Sequence, residues 1–296
     1  MSADGRFAPS PTGTLHVGNL RTALVAWLFA RSQDARYLVR MEDLDTGRVR
    51  ERFYDEQLHD LAAIGLDWDG PVVRQSKRIA LYEAALRTLR DKDLIYECWC
   101  TRAEIREAAS APHGDLPEGA YPGTCRRLTA AQRAEREAGG RPPALRVDAQ
   151  GARIVFEDRL EGHQEGVVDD FVVRRNDGAF AYNLAVVVDD GAQGIGEVVR
   201  GADLLDSTPR QLWLADQLGI QRPRHAHVAL MLGPDGARLA KRHGAVTLAD
   251  RAAQGQTADD VRDELAASLD ICARGEHLTP AELVERFSAN ALRQAA

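Results

Sequence analysis

The chain has 296 residues, 44% of them hydrophobic and 28% charged, enough to bury a large core divided among two or three packed subdomains. No stretch reaches the roughly 18 consecutive apolar residues of a membrane helix, and the start, Met1 to Gly5, lacks a basic and then apolar targeting pattern, so a cytoplasmic location is expected. A net charge of −7 excludes global attraction to nucleic acid, so any RNA partner must be held by a local basic patch or by shape.

After the segment at residues 6–19, Leu20, Leu24, Trp27, Leu28 and Arg31 follow helical spacing, which predicts a helix from near Val17 with its apolar members on one face. Residues 36–41 read as a buried strand ending at Glu42-Asp43, and ligand-binding groups of open α/β sheets sit at such carboxyl ends. Helices are expected at residues 53–64 and 79–89, then a strand at 94–96 that leads into a group of cysteines. This alternation argues for a parallel sheet. Residues 110–146 turn to Pro, Gly, Ala and Arg without an apolar pattern, as in an insertion held by something other than a core.

Strands are expected at residues 153–156, 167–174 and 180–189, the last two joined by a hairpin turn at Asn176-Asp177-Gly178. Thr208 reads as the N-cap of a helix running through Leu218, with Pro209 in its first position. Two short strands, 228–232 and 238–240, flank the turn Gly233-Pro234-Asp235-Gly236. The remainder reads as helical, with a capping box from Thr279 to Glu282 before Leu283, Val284 and Phe287.

Four features bear on chemistry. A tight Pro-Ser-Pro-Thr-Gly loop (Pro9 to Gly13) precedes His16-Val17-Gly18-Asn19 on the first turn of a helix, and helix amino termini bind phosphates. His16 is placed to donate to phosphate oxygens, and Gly18 removes a side chain where a base or ribose packs. Cys98, Cys100 and Cys125 cluster while Cys272 stands alone, an odd set that suits a metal site in a reducing compartment better than a disulfide framework. Three thiolates suit tetrahedral zinc with one further ligand, against the alternative of three buried apolar cysteines. Arg126-Arg127 and Arg174-Arg175 are the local basic pairs placed to meet RNA phosphate, or else solvated faces. Asp189-Asp190 is open between a magnesium site and a strand-end cap.

The segment from Arg6 to Asn19 resembles the signature of the class I aminoacyl-tRNA synthetases, specifically their glutamyl and glutaminyl subgroup. The resemblance continues through Arg40 to Asp45, Tyr182 to Asp190, Glu197 to Leu204, and Arg238 to Gly244. It implies an α/β fold: a Rossmann-like parallel sheet from residues 1–97 and 190–245, an inserted zinc-containing, acceptor-binding-like subdomain at 98–189, and a short helical region at 246–296. It implies activation of L-glutamate by ATP and Mg2+, without a covalent enzyme intermediate. Arg6, Phe7, Ala8, Pro9, Ser10, Glu42, Tyr182 and Arg200 then belong to glutamate, whose carboxylates suit arginine forks and whose ammonium suits Glu42. His16, Gly18, Asn19 and Lys241 belong to ATP, with His16 and Lys241 catalytic. Arg238 and Ala240 depart from the lysine and serine usual beside Lys241, which implies slower or altered activation.

The resemblance also bears on the metal and the acceptor. Zinc on Cys98, Cys100, Tyr121 and Cys125 matches a short branch of the glutamyl subgroup, whereas His113 is the chemically plainer fourth ligand. That branch passes glutamate to the queuosine base of tRNA(Asp), and residues 246–296 leave no room for a large anticodon-binding region. Queuosine-bearing tRNA(Asp) is thus the expected partner of a monomer; the alternatives are charging of a tRNA 3′ end and a non-catalytic tRNA-binding or glutamate-sensing paralogue.

Overall fold

The computed structural model describes residues 4–101, 103–105, 120–233, 235–236, 239, 244 and 246–294. His113, Arg238, Ala240, Lys241, Arg242 and His243 lie outside the described residues. Strand β1 (Gly5–Phe7) runs parallel to β2 (Tyr37–Met41), which runs parallel to β3 (Val73–Arg74). A second sheet has the order β7-β6-β10-β9. In it β10 (Arg224–Val228) is parallel to both β9 (Glu197–Gly201) and β6 (Arg153–Asp158), and β7 (Gly162–Val167) is antiparallel to β6. The amides of Gly196 and Glu197 donate to the Asp4 carbonyl at 3.0 and 3.1 Å, which sets β9 beside β1. The expected parallel α/β arrangement is present, and β6, which falls within residues 98–189, pairs with the parallel β10.

Helix α1 (Val17–Arg31) packs between this sheet and the carboxyl-terminal helices. Rather than one apolar face it presents an almost wholly buried surface, with every residue from Ala23 to Ala30 buried. Such a helix has no polar side to give it an amphipathic pattern. Its start is set by a reciprocal cap: His16 Nδ1 accepts from the Asn19 amide and Asn19 Oδ1 accepts from the His16 amide, both at 3.2 Å. Helices α2 (Arg52–Ala63) and α3 (Ile79–Asp91) lie where the spacing predicts them.

A third, antiparallel sheet, β4-β5-β8, is built from Ile95–Cys98, Ala144–Val147 and Val172–Arg174. The expected strand at 167–174 is therefore split. Asp169 and Asp170 interrupt it because their carboxylates anchor other elements, Asp169 accepting from Arg210 at 2.6 Å and Asp170 from Tyr96 at 2.7 Å. The turn at Asn176-Asp177-Gly178 is present, with Gly178 at φ +87° and the Arg175 amide donating to Ala179.

The strand expected at 180–189 is instead the helix Tyr182–Gln193. Its run from Leu184 to Asp190 is buried without a break, and a short continuous apolar run rich in valine cannot be told from a strand by period alone. Two further expectations are corrected. Ser207, not Thr208, is the N-cap of the helix Thr208–Leu218, and Thr208 is already helical. The strand expected at 228–232 lies earlier in the chain: β10 ends at Val228, and His225 and His227 carry it through the core. The turn closed by the Gly236 amide on Gly233 is present, as are the Thr279–Glu282 capping box and the helices Leu248–Ala253, Ala258–Ala267, Pro280–Arg286 and Ala289–Gln294.

Candidate active site and cysteine centre

A cavity of about 370 Å³ opens at the carboxyl ends of β1, β2 and β9. Arg6, Phe7, Ala8, Pro9, Ser10, His16, Gly18, Asn19, Glu42, Tyr182 and Arg200 all line it, so the structure brings together every described residue that the sequence assigned to glutamate and ATP. β1 delivers the first loop, β2 delivers Glu42, and β9 delivers Arg200. The open crevice between adjacent strands whose connections diverge is where such sheets bind ligands.

The amino end of α1 forms one wall. With Nδ1 of His16 accepting from the Asn19 amide, the ring proton of neutral His16 sits on Nε2, the donor suited to an anion at the helix terminus. A side chain on Gly18 would place its Cβ 3.0 Å from His16 Nδ1. Glycine here leaves the His16 ring its seat at the start of α1.

The opposite wall is charged and interlocked. Arg6 directs Nε and Nη2 to Asp190 at 3.2 and 3.3 Å. Arg40, fully buried, donates to Asp190 at 2.8 Å and lies 3.7 Å from Glu42. Asp189, also fully buried, accepts from Gln75, Arg78 and Tyr82 at 2.9, 2.5 and 2.7 Å. Asp189 and Asp190 thus anchor arginines, and both lie within the helix Tyr182–Gln193 rather than at a strand end. Arg40, which links both acids to Glu42, is the part of this wall that the sequence reading does not single out. Gln57 left no sequence signal, yet it donates to the carbonyls of Ser10 and Gly13 at 3.0 and 2.7 Å and so clamps the first loop.

Burial pushes Glu42 up to about 7, against the lowering pull of Arg40 and Arg6. Tyr182 is 39% exposed; desolvation and Glu42 raise its hydroxyl above the ordinary range, with Arg200 opposing them. Arg200 is buried, and its guanidinium is fixed by Gln211 Oε1 at 2.6 Å, Thr208 Oγ1 at 2.8 Å and His227 Nε2 at 3.0 Å. Desolvation lowers Arg200, while the neighbouring Tyr182 pulls the other way.

The cysteines form a second centre. The thiols of Cys98, Cys100 and Cys125 lie within 4.8 Å of one another. The Tyr121 hydroxyl stands 3.4 Å from the sulfurs of both Cys98 and Cys100 and accepts from the Cys125 amide at 2.8 Å. Hydrogen bonds from Cys100 and Cys125 hold the Cys98 thiol well below its ordinary range, and contact with Cys125 pushes Cys100 up. Three sulfurs and a phenol oxygen converging on one point form a donor set that fits zinc. Among the described residues, the fully buried local core is Cys98, Trp99, Tyr121 and Cys125, with Tyr96, Cys100, Ile105 and Leu128 packed against it, a small apolar area to which a metal would add order. Arg146 lies over the Tyr121 ring, 3.8 Å from its centroid.

The basic pairs are largely engaged with acids. Arg126 meets Asp148 and Asp170 at 3.0 and 3.2 Å, Arg174 meets Glu83 at 3.6 Å, and Arg175 meets Asp177 at 2.5 Å. Among the described residues, no helix is long and apolar enough to cross a membrane.

A parallel α/β sheet with this loop, helix terminus and arginine-lined crevice defines a nucleotide-dependent synthetase of class I. The model of the class I tRNA synthetases (E and Q), catalytic domain, matches residues 3–282, and the chain belongs to that family. It is 58% identical over 283 residues to the Glutamyl-Q tRNA(Asp) synthetase of Nocardia farcinica, covering 96% of this chain and 88% of the relative. To the Glutamyl-Q tRNA(Asp) synthetase of Symbiobacterium thermophilum it is 49% identical over 295 residues, 96% of this chain and 91% of the relative. The crystal structure of a glutamate tRNA ligase from Elizabethkingia meningosepticum, in complex with its amino acid, superposes with a TM-score of 0.84 at 26% identity. That match covers 98% of this chain and 66% of the other.

Proposed function

We propose that this chain activates L-glutamate with ATP and transfers the glutamyl group to the queuosine base of tRNA(Asp). The observation that carries the first step is the pairing, in one cavity, of Arg6, Tyr182 and Arg200 with Glu42, beside the amino terminus of α1. Arginine and tyrosine donors suit two carboxylates, Glu42 suits an ammonium, and the helix terminus with His16 suits phosphate. The glutamate carboxylate attacks the α-phosphorus of ATP in line, giving glutamyl-adenylate and pyrophosphate, with Mg2+ accompanying the nucleotide. Lys241 is assigned to the charge developing on pyrophosphate, and Phe7 to Ser10 and Asn19 complete the walls.

The acceptor rests on the relatives named Glutamyl-Q tRNA(Asp) synthetase and on Tyr121 among the cysteines. Zinc on Cys98, Cys100, Tyr121 and Cys125 serves folding in this reading, tying β4 to the segment before β5. The likeness to a glutamate tRNA ligase, with Lys241 to Gly244 of the glutamyl-tRNA synthetase type, favours one other acceptor, a tRNA 3′ end. Mass spectrometry of nucleosides from tRNA(Asp), with and without queuosine, after incubation with enzyme, glutamate and ATP tests the proposal. Glutamyl-queuosine is the expected product; equal glutamate incorporation into both tRNAs would defeat it. Undiminished glutamate-dependent ATP–pyrophosphate exchange in a folded Lys241→Ala variant would remove Lys241 from its role.

A further inference from the structure

We infer that Asp158 and His227 form a buried relay that orients the Arg200 guanidinium toward the cavity by fixing one tautomer of His227. The inference rests on the assignment of Arg200 to glutamate and names the residues that make it competent. His227 on β10 is register-paired with Arg200 on β9, and both side chains are buried. His227 Nδ1 lies 2.6 Å from Asp158 Oδ2. The other carboxylate oxygen, Oδ1, accepts the amides of Leu160, Glu161 and His227 at 3.0, 3.0 and 3.2 Å.

On the far side of the ring, Arg200 Nε points at His227 Nε2 from 3.0 Å. A guanidinium N–H can only donate, so Nε2 must be an unprotonated acceptor. Thr208 points the same way. Its oxygen accepts from Arg200 Nη2 at 2.8 Å, leaving its hydroxyl proton to face His227 Nε2 at 3.2 Å. Every contact therefore demands the neutral ring with its proton on Nδ1, held by the carboxylate. Burial and the positive charge of Arg200 also disfavour the doubly protonated ring.

Asp158→Asn makes the relay testable, because the amide side chain has one acceptor and one donor. Three backbone amides claim the oxygen side, so the new NH2 faces His227 Nδ1. The ring proton must move to Nε2, where it opposes Arg200 Nε–H. Asp158 and His227 touch no substrate in this account; they are positioning residues. His227→Gln offers an amide oxygen to Arg200 that no longer depends on a tautomer.

The tautomer is read at pH 8 without substrate, by two-bond 1H–15N correlation on histidine-labelled protein, assigning His227 by its loss in His227→Gln. Wild type is expected to carry the proton on Nδ1, and Asp158→Asn on Nε2. In ATP–pyrophosphate exchange Asp158→Asn is expected to raise the glutamate KM by about tenfold or more, the scale of a lost hydrogen bond to a charged group, while the ATP KM stays put. That penalty should vanish when Asp158→Asn is combined with His227→Gln. A wild-type proton on Nε2, or an Asp158→Asn penalty equal in both backgrounds, would overturn the relay. Arg200→Lys with an unchanged glutamate KM would overturn the glutamate assignment instead, a result the substrate-free tautomer measurement does not share.

Discussion

Arg6 and Asp190 face each other fork to fork, with both contacts close to 3.2 Å, and the same carboxylate takes Arg40 at 2.8 Å. The arginine nearest the first loop is therefore not a loose cation awaiting an anion. It is held in place by a carboxylate at the far end of a helix, and only its remaining face lines the cavity. Asp190→Ala leaves two buried guanidinium groups short of their shared partner, so it should cost about 3–5 kcal/mol in urea denaturation. A loss below about 1 kcal/mol, the scale of an exposed ion pair, would mean that water or another acid replaces it.

Glu42 predicts a pH dependence. Its carboxyl sits at about 7 in the folded protein against an ordinary 4.5, raised first by desolvation, next to Arg40, Arg6, Asp189 and Asp190. Only the ionised form pairs with an ammonium, so the glutamate KM should fall as pH rises through about 7, and Glu42→Gln should abolish that fall. Stability moves oppositely. A raised folded pKa gives stability that is full below 4.5 and lost as pH rises through about 7. Glu42→Gln should therefore melt higher than wild type at pH 8 and equally at pH 4; a lower melting temperature at pH 8 would contradict the desolvation argument.

Gly18 guards the seat of His16. A methyl group there meets the ring at 3.0–3.1 Å, too close unless the ring gives way, and the ring is what caps α1. Gly18→Ala should raise the ATP KM while leaving the glutamate KM little changed, and should cost about 1 kcal/mol, the worth of a helix cap. Equal effects on both KM values would place Gly18 in general folding rather than at the nucleotide wall.

The cysteine centre predicts one zinc per chain by elemental analysis, removed by a strong chelator with a drop in melting temperature. Tyr121→Phe deletes the oxygen that stands 3.4 Å from two sulfurs, so zinc affinity should fall. Unchanged affinity would exclude phenolate ligation. Cys272 lies in the carboxyl-terminal region, apart from the Cys98, Cys100 and Cys125 group, and Cys272→Ser should leave zinc content at the wild-type level.

Much of the site was legible because its signals are local. The Pro9 to Gly13 loop, the helix start at His16 to Asn19 and the cysteine spacing each place a few neighbouring residues, and neighbouring residues fold within reach of one another whatever surrounds them. The helix Tyr182–Gln193 was read as a strand for the converse reason. Val186, Val187 and Val188 favour a strand locally, and burial on all sides removes the polar face that would have marked a helix.

The sequence by itself determined the chemical types at the cavity, the clustering of three cysteines apart from Cys272 and the alternation of strands and helices that makes a parallel sheet. Tertiary structure alone decided which charges pair. Arg6 finds Asp190 across 184 positions and His227 finds Asp158 across 69, and the elevation of Glu42 depends on its desolvation and on the arginines packed around it. Types are carried by single residues, whereas desolvation and hydrogen-bond geometry are properties of the space between residues, which exists only once β1, β9 and β10 lie side by side.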